Sequence, residues 1–105
     1  MYEVKEKDWK LFRKKIVVWQ NNYMDKLNKE YIKILQRDKS PATNFWDLEK
    51  RMFKDKKSVG VVVDMRRSRM IENIISLIHD NAITIDDLEE FSDELKECVD
   101  IILQR

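Results

Sequence analysis

The chain has 105 residues, 43% hydrophobic and 39% charged, with one Gly, one Pro and one Cys; that is one small domain with enough apolar side chains for a core, too few turn residues for a strand-rich fold, and a single Cys98 that excludes an internal disulfide. The net charge of +1 hides a segregation: residues 1–70 carry 19 Lys/Arg against 10 Asp/Glu, and residues 71–105 carry 2 against 10. Opposite blocks of this size meet each other, meet a partner, or stay solvated.

The first predicted helix covers about 8–37. Trp9, Phe12, Ile16, Trp19, Tyr23, Leu27, Tyr31 and Ile34 recur at steps of three or four, which is one helix face. Asp8 is the candidate N-cap. Unbroken, the helix would be about 45 Å long, so either the bundle is elongated or the helix breaks at the β-branched run Ile16-Val17-Val18. Ser40-Pro41 opens a second helix over about 41–57, with Phe45, Leu48 and Met52 on one side and Trp46 and Phe53 widening the stripe. Trp9, Trp19 and Trp46 are read as core residues. Val17 and Val18 fall beside the main stripe, either in a broad buried face or as an exposed strip for a second copy or another partner.

Val61-Val62-Val63 is an extended connector or the entry to helix three, for which Asp64 is the candidate N-cap and Ile71, Ile74, Ile75 and Ile78 are the core stripe over about 64–80. Thr84-Ile85-Asp86-Asp87 reads as a capping box flanked by the staple pair Ile83 and Leu88. It opens a last helix over about 85–104, with Ser92 as a point of kink or restart. The fold class is all-α, a compact or elongated bundle of four main helices forming a single domain.

Little in the chain resembles a reaction centre. Residues 80–88 resemble half a calcium loop, but Ile78 stands where an oxygen ligand is needed. The single His79 and Cys98 cannot assemble a zinc site or a nucleophile–base pair. There is no Gly-rich phosphate loop, so the expectation is a non-enzyme with no cofactor and no metal. The longest charge-free run, Ile16–Met24, is too short for a membrane span of about 20 residues. With no signal-like N-terminus, a reducing cytoplasm is expected.

Two surfaces stand out. Lys54, Lys56, Lys57, Arg66, Arg67 and Arg69 surround Gly60, and would meet at one end if helices two and three are antiparallel. Such a patch suits phosphate, an acidic protein surface or plain solvent. The acids Glu90, Asp93, Glu94 and Glu97 on the last helix need positive neighbours, from the basic first helix or from a partner. Read as a last helix running from 85, this segment also sets Asp86 four residues from Glu90, and Glu89 four from Asp93.

The runs Lys5–Lys14, Tyr23–Tyr31, Met65–Ser68, Ile74–Ile78 and Phe91–Lys96 resemble a group of small all-helical proteins of Gram-positive gut bacteria. No activity is established for that group, so no functional residue is carried over. Some members bear a "multidrug transporter" label, which the lack of a span argues against here. The expected function is a small interaction or regulatory module that binds a protein, one concrete version being an inhibitor or adaptor of a nucleic-acid-handling enzyme. The alternative is direct nucleic-acid binding through the basic 54–69 junction.

Overall fold

The computed structural model describes residues 2–105. Among them lie four α-helices, α1 (Glu6–Leu35), α2 (Pro41–Asp55), α3 (Met70–His79) and α4 (Asp93–Leu103), with 3-10 turns at Arg67–Arg69 and Ile85–Leu88. The bundle is elongated, 52 × 26 × 20 Å.

α1 does not break. Its β-branched run costs a few tenths of a kcal/mol per residue in helix propensity. Full burial of each large apolar side chain is worth about 1.5–3 kcal/mol, and Phe12, Ile16 and Trp19 are all buried. These three meet Met70, Ile74 and Leu77 of α3, Leu95 and Val99 of α4, and Ile83, Leu88 and Phe91 between the two. The aromatic rings of Phe12, Trp19 and Phe91 contact in sequence. This is the head of the molecule. Beyond Trp19, α1 buries only Leu27 and continues as one side of an arm whose other side is α2. Val17 and Val18 are exposed, so the strip beside the stripe faces outward.

Three helix starts differ from expectation. Asp8 does not cap α1, which begins at Glu6 after an uncapped Lys5. Asp8 is buried instead, and accepts hydrogen bonds from the Tyr2 hydroxyl (2.5 Å), the Ser92 N–H (2.9 Å) and the Ser92 hydroxyl (2.5 Å). Helix three starts at Met70 rather than near residue 64. Asp64 accepts the Arg66 N–H in a local turn, and residues 59–63 form an irregular connector held by Gln20, which donates to the Val59 carbonyl. The capping box at Thr84 forms, with Asp87 accepting the Thr84 N–H, but it opens only the 3-10 turn. Ser92 then restarts the chain as N-cap of α4, its hydroxyl accepting from the Leu95 N–H. Asp86 and Glu90, and likewise Glu89 and Asp93, therefore do not share one continuous helix.

α3 stops where expected. Asn81 adopts φ 60°, the Ala82 N–H donates to the Leu77 carbonyl and the Asn81 N–H to the Ile78 carbonyl. This pairing satisfies the orphan carbonyls of the last turn.

Candidate protein-binding surface

α2 is amphipathic in the opposite sense to a core helix. Asn44, Leu48, Arg51 and Asp55, spaced at steps of four and three, turn toward α1, and Asn44 and Asp55 are buried. Phe45, Trp46, Met52 and Phe53 lie on the other side and are 60%, 62%, 42% and 57% exposed. Trp46 is therefore not a core residue.

The inward polar face is matched by α1 and the turn after it. Asn44 donates to the Arg37 carbonyl and accepts from the Arg37 guanidinium, which also binds Asp47. The Tyr31 hydroxyl donates to Asp55 (2.6 Å), and Arg51 bridges Asp55 and Glu30. Burial, together with the Asp55 carboxylate, raises the Tyr31 pKa above that of an ordinary phenol. Among the described residues no buried side-chain nitrogen or oxygen lacks a hydrogen-bond partner. A polar seam of this kind specifies one pairing of α1 and α2 and leaves the aromatic side without a cover.

The basic junction splits in two. Arg67 binds Glu6 (2.6 Å) and the Val4 carbonyl at the start of α1. Arg66 forks onto Asp64 and Arg69 pairs with Glu72. The hydrogen bonds from Arg66 hold the Asp64 carboxyl below the usual carboxylate range. Lys54 and Lys57 instead border an open cleft with Tyr23 and Asp80. Glu6 and Tyr23 are about 25 Å apart along α1 at the helical rise, so lysines and arginines do not form one patch. Among the described residues Lys54, Lys56 and Lys57 make no ion pair, although Lys57 lies over the Phe53 ring at 4.4 Å.

The acidic face is largely answered from within. Glu94 pairs with Lys5 (2.7 Å), Glu90 with Lys15 (3.3 Å) and Asp93 with Lys96 (3.5 Å). Hydrogen bonding to Lys5 lowers the Glu94 pKa. Glu97 is exposed and, among the described residues, has no ion-pair partner.

Cys98 is half-buried and His79 exposed at the end of α3. Among the described residues no cluster of three or more His, Cys, Asp or Glu is placed to hold a metal, and no helix is long and apolar enough to cross a membrane. Composition and periodicity alone missed the outward aromatic face, because Phe45, Trp46, Met52 and Phe53 carry the spacing of a core stripe. The available signal was the opposing spacing of Asn44, Arg51 and Asp55, whose partners are visible only once α1 is continuous. No family model, curated protein or solved structure matches this chain.

Proposed function

We propose that the protein is a non-enzymatic interaction module that binds a protein partner through the outward face of α2. The observation that carries this reading is the exposure of Phe45, Trp46, Met52 and Phe53 on one side of a helix whose other side is occupied by a polar seam. Contiguous exposed aromatic side chains are the usual anchors of protein interfaces. Lysines 54, 56 and 57 add a basic border that suits a partner with acidic groups around an apolar surface. Direct nucleic-acid binding has less support: Arg66, Arg67 and Arg69 each already hold a carboxylate, and phosphate would have to compete with it.

The test is affinity purification with the wild-type chain and with a Trp46→Ala/Phe53→Ala variant as baits, each with and without nuclease. A protein held by the wild type through nuclease treatment and lost by the variant supports the reading. Capture that is abolished by nuclease, or equal for both baits, overturns it.

A further inference from the structure

We propose that the partner of the α2 face is a second copy of this chain, laid antiparallel so that each arm covers the other's head. The inference rests on reading α2 as a binding surface. What selects the second copy is the distribution of charge along the long axis.

The arm, residues 21–57, holds 10 Lys/Arg against 6 Asp/Glu, net +4, and the remainder holds 11 against 14, net −3. The molecule, 52 Å long, thus carries a positive arm and a negative head. Two such molecules side by side attract when antiparallel and repel when parallel, and a total of +1 adds little overall repulsion. The head supplies a matching surface. Ile101 of α4 is 51% exposed and lies one turn from Glu97, which has no ion-pair partner among the described residues. Lys54 and Lys57, beside exposed Phe53 on α2, have the complementary character.

An antiparallel pair has a two-fold axis. It makes the arm-to-head contact twice and closes, leaving no open end for further growth. A stable interface covers about 800 Å² per partner, roughly a tenth of a small protein's surface. Each chain here exposes 7507 Å², and contributes one arm patch and one head patch. About 400 Å² for each patch reaches the required area, and four large, half-exposed apolar side chains on the arm are in keeping with that.

Sedimentation velocity over a concentration series tests the proposal, with circular dichroism confirming that each variant is folded. The expected result is a monomer–dimer equilibrium that weakens as salt is raised. Lys54→Glu with Lys57→Glu, and separately Glu97→Lys, should each weaken it roughly tenfold or more. Mixing these two variants should restore the dimer, because the reversed arm meets the reversed head while the other contact is native. A chain that stays monomeric overturns the proposal. So does a dimer that is lost on Trp46→Ala but indifferent to Glu97→Lys, which would place α2 against α2. A monomer that still captures a protein through Trp46 and Phe53 sinks self-association while leaving the α2 reading intact. Equal capture by wild-type and face-variant baits sinks that reading instead.

Discussion

Asp8 shows how much one buried carboxylate organises. It ties the N-terminal segment through Tyr2 and α4 through Ser92, and it is 1% exposed. Burial alone would raise its pKa, but the hydrogen bonds from Ser92 and Tyr2 outweigh that and leave it below the ordinary value. The same burial and hydrogen bond push the Tyr2 hydroxyl up to about 12. Since the unfolded carboxyl titrates near about 3.9, Asp8 contributes its full stabilisation above roughly pH 4, and loses it as pH falls through the depressed folded value. Urea titrations at a series of pH values should show wild-type stability dropping in acid and a shallower drop in Asp8→Ala. At neutral pH that variant should be about 1–3 kcal/mol less stable, because the Ser92 and Tyr2 donors lose their acceptor. Gly60 is the second critical residue. A Cβ there would sit 2.3 Å from the Tyr23 ring. Gly60→Ala should cost about 1–3 kcal/mol by displacing the ring or the connector, and a double-mutant cycle with Tyr23→Ala should recover part of that loss.

At the scale of elements, α2 and the core helices should respond oppositely to loss of an aromatic ring. Phe53→Ala removes an exposed side chain and, at concentrations where the chain is monomeric, should change unfolding free energy by no more than about 0.5 kcal/mol. Phe12→Ala, at 0% exposure, should cost about 3–5 kcal/mol. Thermal and chemical denaturation of the two variants separates a surface face from a core face. Were both strongly destabilising, α2 would be packed by its aromatic side. Ser92→Ala should cost about 1 kcal/mol, as expected for loss of an N-cap, plus whatever Asp8 loses with it. The helices themselves were largely legible. Periodicity located α1, and Ser40-Pro41 located the start of α2 to the residue. The restart at Ser92 was legible as well, but the start of α3 and the shortness of the element opened at Thr84 were not, because Asp64 and the Thr84–Asp87 box are good caps by residue type and commit to short turns instead.

The whole molecule divides into a head with an apolar core and an arm held by a polar seam. A compact chain of this length has a radius of gyration near about 13 Å, against 16.4 Å here, so scattering from the monomer should report an elongated particle. The arm buries little apolar surface, and hydrogen exchange in the monomer should open α2 before α3 and α4. Uniform protection across all four helices would contradict that division. The sequence by itself determined the helical class, the four helices and the opposed charge of its two portions, because periodicity, capping residues and composition are local properties of the chain. Only the tertiary structure decided that α1 runs unbroken, that the arginines pair within the head, and that α2 turns its aromatic side outward. Those outcomes depend on which distant groups satisfy each other: Asn44 with Arg37, Asp55 with Tyr31, and Arg67 with Glu6. An apolar stripe has the same spacing whether it faces a core or a partner.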